Sequence, residues 1–414
     1  NTSKWDFKWF CQNGFTAEDK MRILKGYYDV HYDKCSILVV YSSWIKHLGH
    51  IKRLAEKQDL NIVGDFNLSF VSIVSFRNII YDIYDYNNIR DKKDTYINIG
   101  NKIDILTQME SLELQIILVE GSKKNIFEKT KLLKSEVRNL MDHMMPKNIF
   151  CTMHASDSLN ESKFLSQTLL SPNNINNLKM RLCYKFSDHF LSLCGDLKEA
   201  CKKHKIKLND ICVIGSAPLS VMGIKEVSDI DFITLVKYRK LYGDKPVPIY
   251  KEVDLASKQY HRTSLGIAIN DDNLVQNDEN YFMFMGIKFA NLDIIRDRKS
   301  LQKREKDLRH VRMIDIFQNT TNNSQRQILL NRKIIEEQRR RLEKKEQKNN
   351  INFKVVLIKT EYMLVNMICC IVPSKALRKK MRIAGISTIN KYLGKTITSF
   401  ILSKSKRKIL RKYF

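Results

Sequence analysis

Glycine and proline are scarce, at 14 and 6 among 414 residues. That excludes collagen-like and low-complexity architectures and makes each glycine informative. Cysteine occurs at nine positions (Cys11, Cys35, Cys151, Cys183, Cys194, Cys201, Cys212, Cys369 and Cys370), never as a CxxC pair and never in a Cys/His cluster at zinc-finger spacing. An odd number without framework spacing predicts reduced thiols in a cytoplasmic protein. The opening residues Asn-Thr-Ser-Lys-Trp lack a basic stretch followed by an apolar one, which predicts no signal peptide. Without an initiator methionine, the chain reads as a fragment or a trimmed product. The one long apolar stretch, Val355 to Val372, is interrupted by Lys359, Glu361 and Asn366, and reads as a buried or membrane-surface helix rather than a span. Neither GxGxxG nor GxxxxGK occurs in the N-terminal half, so a Rossmann or P-loop nucleotide site is not indicated there.

What is present is globular in character. Apolar residues make up 43% of the chain and charged residues 28%, and the length suits two or three domains, each with its own core. The balance of 72 Lys and Arg against 45 Asp and Glu gives a net charge of +27, which favours anionic partners: nucleic acid, nucleotides or anionic lipid. Much of that excess is concentrated, because Lys375 to Phe414 holds 13 Lys and Arg and no acid.

Apolar runs of strand length fall at Cys35 to Tyr41, Leu60 to Phe66, Leu68 to Val74, Tyr96 to Ile99 and Gln115 to Glu120. Helical patterns separate and follow them, at Trp44 to Lys57 and Asn125 to Met145. The expected fold class is α/β (α+β), with an N-terminal α/β module over residues 1–145 and a connecting helical segment over 146–179. In that segment His154, Asp157 and Glu161 have two readings: Ser158 to Glu161 as a capping box, or the three side chains as a polar second site. A helix from about Met180 to His204 then leads into a further α/β domain spanning 180–318.

Between 211 and 236 an apolar strand delivers Gly215-Ser216, twelve residues follow, and a second strand carries Asp229-Ile-Asp231. Alternate residues of a strand share a face, so both aspartates point the same way. Two such carboxylates repel unless a cation neutralises them, and Mg²⁺, which takes carboxylate and phosphate oxygens together, does so. A pair of Mg²⁺ ions there would form a phosphoryl-transfer clamp. Gly215 permits close approach of backbone to a phosphate, and Ser216 offers a hydroxyl and an N–H to its oxygens.

Gly215-Ser216, twelve residues, then Asp229-Ile-Asp231-Phe resembles the signature of the DNA polymerase β-like nucleotidyltransferase superfamily. The fuller string from Gly215 to Phe232 is similar to that of uncharacterised bacterial members associated with surface-polysaccharide genes. The resemblance covers about residues 180–320. It implies an NTP substrate, two metals held by Asp229 and Asp231, and a third carboxylate on a neighbouring strand that helps activate the acceptor hydroxyl. Val247 to Asp254 reads as that strand, with Asp254 the first choice and Glu252, of the same parity, the second. Asp271, Asp272 and Asp293 read as loop or cap residues. Tyr281 to Phe289 reads as an aromatic strand pair belonging to the core. Downstream of it, Lys299, Lys303 and Lys306 follow i, i+4, i+7 on one helix face and resemble the basic groups presented to the triphosphate; the alternative is a solvated charged face.

The segment 319–352 reads as a charged helix, linker or short coiled coil, and 353–414 as a basic amphipathic tail. Basic clusters interleaved with Ile383, Ile386 and Ile389 suit an anionic membrane surface, with RNA as the electrostatic alternative. Together these expectations describe a Mg²⁺-dependent nucleotidyltransferase transferring a nucleoside monophosphate to a hydroxyl or phosphate acceptor, cytoplasmic and peripheral to the membrane. The alternatives are a catalytically silent nucleotide-binding scaffold and an RNA-modifying or toxin-type transferase.

Overall fold

The computed structural model describes residues 15–330 and 332, except 88–92, 109–110, 143–150, 244, 258–259, 263–265, 321–324 and 327. The described residues up to Leu330 form one compact unit. Most of the 319–352 segment and the whole 353–414 tail lie outside the described residues. The chain is mixed α and β, as the apolar periodicities predict, and no helix among the described residues is long and apolar enough to cross a membrane.

The first part is built on a four-stranded antiparallel sheet in the order β2-β3-β1-β4, with β1 Cys35–Tyr41, β2 Asn61–Ser69, β3 Glu113–Glu120 and β4 Met153–Ala155. Every residue of β1 is buried, because the sheet is covered on both faces. Ile37, Val39 and Tyr41 enter one apolar cluster while Leu38 and Val40 enter the other, as strand periodicity dictates. Each such aliphatic side chain contributes about 1.5–3 kcal/mol by leaving water.

Three local expectations change here. The two runs Leu60 to Phe66 and Leu68 to Val74 are one strand, β2, with a bulge between Ile62 and Gly64. Their last residues belong instead to the helix Ile73–Tyr84, which Ser72 caps by accepting the Val74 N–H at 3.1 Å. Tyr96 to Ile99 lies within the helix Lys93–Thr107, not in a strand. The short alternation there is overruled by the longer stripe Ile99, Ile103, Leu106, whose last two members are fully buried. The segment 146–179, expected as a helical connector, places β4 beside β1 through Leu38↔Ala155 and Val40↔Met153, so it completes the first sheet.

The second part is a six-stranded mixed sheet in the order β11-β12-β5-β6-β8-β7. Its strands are β5 Ile211–Ile214, β6 Ile230–Thr234, β7 Val247–Tyr250, β8 Val253–Leu255, β11 Tyr281–Phe284 and β12 Ile287–Ala290; β9 Tyr260–Arg262 and β10 Ala268–Asn270 form a separate pair. β11 and β12 are the expected aromatic hairpin, turned by Met285 and Gly286, both at positive φ. The helix expected from Met180 to His204 is shorter, Asp188–Lys203, starting at the cap Ser187; Met180 closes an earlier helix, Pro172–Met180, and Arg181 to Phe186 lie in neither.

The two parts meet at β11, the edge of the second sheet. Asn174 Oδ1 accepts the Met283 N–H at 2.7 Å, and Asn173 Nδ2 donates to the Tyr281 carbonyl at 2.6 Å. Beside them Arg181, wholly buried, ion-pairs with Asp82 at 2.8 Å and donates to the Met283 carbonyl at 3.1 Å. Removing one partner of a buried pair strands the other in low dielectric. Arg181→Ala should therefore lower the unfolding free energy by about 3–5 kcal/mol. The denaturant midpoint measures this, and a loss under about 1 kcal/mol would show that water reaches Asp82.

Candidate functional site

β5 is followed by Gly215 at φ +74, a conformation that side chains resist. A Cβ at this position would lie 2.5 Å from Asp231 Oδ2, so a side chain here would be strained by the backbone and would push on the carboxylate. Asp231, on β6, is opposite Ile214 of β5 and, on its other side, opposite Asp254 of β8. β6 and β8 are parallel, which carries the two acids into register. Asp229 lies one residue before β6, and its charge raises the pKa of both Asp231 and Asp254.

Burial is the first cause of the rise at Asp231, followed by Asp229; Arg298 opposes it, and Asp254 adds to it. At Asp254 burial again leads, with Asp229 second. The expected strand Val247 to Asp254 is a hairpin, β7 and β8, turned at Lys251 (φ 46). The second-choice acid, Glu252, sits in that turn with its side chain exposed; only its carbonyl takes part, accepting the Ile230 N–H at 2.9 Å.

This all-oxygen, anionic donor set fits a hard divalent cation, which is held by one or two carboxylates and completed by phosphate oxygens and water. Among the described residues no three or more His, Cys, Asp and Glu side chains are gathered as a group that could hold a metal ion.

The basic side of the site departs from the single-helix expectation. The helix Leu292–Gln302 stops at Lys303, which adopts left-handed φ 53, and a second helix, Glu305–Asn319, begins at an angle the i, i+4, i+7 count does not cross. Lys303 and Lys306 are exposed, and of the three lysines Lys299 alone is buried. Lys299 Nζ reaches Asp307 Oδ1 at 3.2 Å and Ser216 Oγ at 3.4 Å. Burial lowers the Lys299 pKa, and Asp307 works against that shift. Burial opposes the charge of Asp307 too, but hydrogen bonds from Arg304 and Lys299 hold its carboxyl below the ordinary value.

Sequence reading gave no role to Arg298, His310 or Lys225. Burial lowers the Arg298 pKa while the charges of Asp231 and Asp271 oppose that shift, and its Nη1 has no hydrogen-bond partner among the described residues. His310 lies 3.5 Å from Ser216 Oγ through Nδ1 and 3.1 Å from Lys225 Nζ through Nε2. Lys225 carries no local signal, since it precedes the aspartates in a loop without periodicity. Of the acids read as loop or cap residues, Asp272 accepts the Val236 N–H at 2.7 Å and Asp293 accepts from Gln318, but Asp271 is buried against His261 at 2.8 Å.

The proposed second site does not gather its three side chains. His154 Nε2 is 3.2 Å from Glu161 Oε1, whereas the Asp157 carboxylate turns to Lys134 at 2.6 Å. Glu161 is occupied at the helix start, where its Oε2 accepts the Asp157 N–H at 2.7 Å while Ser158 Oγ accepts the Glu161 N–H at 3.2 Å. Burial lowers the His154 pKa, with Glu161 opposing. This is a capped helix end over a buried histidine.

No known protein family matches the chain, and no curated protein matches it.

The raised pKa of Asp231 has a consequence for stability. Its penalty is absent below the ordinary value of 3.8, where the folded and unfolded carboxyls are both protonated, and grows as pH rises through the folded pKa. In metal-free buffer Asp231→Asn should be more stable than the parent at neutral pH, and equal to it at the acid end. Denaturant unfolding followed against pH in a chelator measures this; lower stability of the variant at neutral pH would contradict it.

Proposed function

We propose that the chain is a Mg²⁺-dependent nucleotidyltransferase of the DNA polymerase β-like kind, transferring a nucleoside monophosphate from an NTP to a hydroxyl or phosphate acceptor. The observation that carries this reading is the register of Asp231 with Asp254 across parallel β6 and β8, beside a turn at Gly215 where any side chain would be strained and would crowd the Asp231 carboxylate. Asp229 and Asp231 would hold the metal, with Asp254 on the acceptor side. Bound there, Mg²⁺ would neutralise the acids and offset charge on the phosphate oxygens.

The chain's own task is alignment and electrostatics. Gly215 lets the triphosphate approach the main chain, and Ser216 with Lys299 offers donors to its oxygens. The acceptor oxygen attacks the α-phosphorus, the bond to the pyrophosphate oxygen breaks, and pyrophosphate leaves with that electron pair. Asp254, whose carboxyl already favours its proton more than usual, takes the proton of a hydroxyl acceptor. Arg298 counters the negative charge around Asp231. The similarity of the Gly215 to Phe232 string to bacterial members near surface-polysaccharide genes suggests an acceptor from envelope assembly.

Turnover of the four labelled NTPs with sugar phosphates, RNA and protein acceptors is the direct test. Asp229→Asn combined with Asp231→Asn should leave the fold intact and reduce turnover by on the order of 10³-fold or more, since charge stabilisation is the main catalytic contribution. Mg²⁺ with NTP should raise the melting temperature of the parent and leave that of the double variant unmoved. Full activity in the double variant would sink the assignment; metal-dependent binding without product release would make the chain a silent scaffold.

Location follows from the tail, Lys375 to Phe414, with its 13 Lys and Arg and no acid. On this reading it is a peripheral anchor, worth about 1 kcal/mol per basic residue at an anionic surface. The full chain should co-sediment with anionic vesicles in a salt-sensitive way, and a truncation at Pro373 should not. Equal sedimentation of both would remove the anchor. A strong salt slope with RNA, indifferent to replacement of Ile383, Ile386 and Ile389 by Ser, would favour an RNA arm.

A further inference from the structure

Ser216 sits where two donors converge. Lys225 Nζ lies 3.1 Å from His310 Nε2. An ammonium has protons to give and no lone pair to offer, so Nε2 must be the accepting nitrogen. A neutral imidazole that accepts at Nε2 carries its proton on Nδ1, and Nδ1 is the atom 3.5 Å from Ser216 Oγ. On another side of the same oxygen stands Lys299 Nζ at 3.4 Å. The serine oxygen has two lone pairs and one proton, and both lone pairs now face donors. With both acceptor positions so engaged, its own proton is left for another partner, and Ser216 is half-buried.

We propose that His310 is a positioning residue, held neutral with its proton on Nδ1, and that it turns the Ser216 hydroxyl outward as a donor to an oxyanion of a bound polyphosphate. This rests on the placement of the triphosphate at Gly215-Ser216 under the proposed function.

The surroundings of His310 support the neutral form independently of the hydrogen-bond count. Lys299 faces it from the helix Leu292–Gln302 and Lys225 from the loop before β6, while Lys306 and Asp307 lie on its own helix. Three cations outweigh one carboxylate, and the ring is 7% exposed. Burial first, then Lys299 and Lys225, push its pKa down to about 3. A histidine in this setting does not switch charge with pH; it holds a hydrogen-bond direction. An arginine or lysine in its place would supply charge but could not accept from Lys225.

The test uses the full chain, free of metal and nucleotide. Nitrogen-15 NMR of the imidazoles, with the His310 signals identified by their loss in His310→Gln, should show the neutral Nδ1–H tautomer unchanged from about pH 8 to about pH 5. Lys225→Met should release it, either to the Nε2–H tautomer or to titration closer to the ordinary 6.5. An imidazolium or an Nε2–H tautomer in the parent would overturn the inference.

The functional arm is calorimetry with inorganic tripolyphosphate. His310→Phe should weaken binding by about 5- to 20-fold, the effect of misdirecting one hydrogen bond to a charged oxygen. In a Ser216→Ala background the same change should cost nothing more. Additive losses, or no tripolyphosphate binding by the parent, would overturn the relay. Should His310→Phe not fold, the parent tautomer and the Lys225→Met response still decide. None of these readouts uses Asp229 or Asp231. A chain that keeps the tautomer and the coupling yet never releases pyrophosphate would retain the relay and lose the transferase reading.

Discussion

The burial of Asp231, close to Asp229 and in register with Asp254, is the constraint that the site end of the second sheet has to meet. Parallel pairing of β6 and β8 puts the two acids side by side, and Asp229 adds a third charge within range of both. Nothing in strand pairing favours this; apolar side chains at the same positions would pair better. The surroundings accommodate it in two ways. Gly215 removes a Cβ that would otherwise collide with the Asp231 carboxylate, and Arg298 and Lys299, adjacent on one helix, bring positive charge to the same end of the sheet. On the proposed reading, an arrangement that is costly in isolation and compensated from several elements is what a site for chemistry requires.

That end of the sheet is held in place by contacts made far away in sequence. β11 is an edge strand and would offer unpaired main-chain groups to solvent or to another chain. The asparagine-rich helix Pro172–Met180 covers it, with Asn173 and Asn174 reaching the main chain of β11 by side-chain amides. Arg181, immediately after that helix, anchors the join to Asp82. The first sheet thus acts as a support: its last strand, β4, and the helices that follow lead directly into the cover over β11. This explains why a segment whose sequence reads as a connector is buried over most of its length.

The parts legible in the sequence are those fixed by neighbours in the chain. β1 and β3 follow from unbroken apolar runs, and the Gly-Ser turn and Asp-Ile-Asp strand from a local motif. Asp254 could be ranked above Glu252 by position, but only pairing shows why: the turn at Lys251 makes β8, not β7, the neighbour of β6. The errors fall where a longer-range force overrides a short pattern. Four residues of alternation at Tyr96 to Ile99 yield to a helical stripe through Ile103 and Leu106. The lysine ladder yields to the left-handed Lys303, since any helical count presumes the helix continues. Lys225, His310 and Arg298 were not assigned because their meaning lies in pairs separated by tens of residues.

The break at Lys303 gives the site its shape. Had the helix run on unbroken, Lys299, Lys303 and Lys306 would have presented three mobile, hydrated ammonium groups along one face. Ending the helix lets the next one return, so that Asp307 meets Lys299 and Arg304, and His310 arrives beside Ser216. The three-lysine face is replaced by one buried lysine fixed by a carboxylate, next to a neutral ring fixed by another lysine. A fixed donor set loses little orientational freedom when an anion binds, whereas flexible surface lysines would each have to be ordered at that moment. On the proposed reading, the phosphate chain would run from the acids at β6 and β8 towards this preorganised corner, with Ser216 at the junction between anionic and cationic halves.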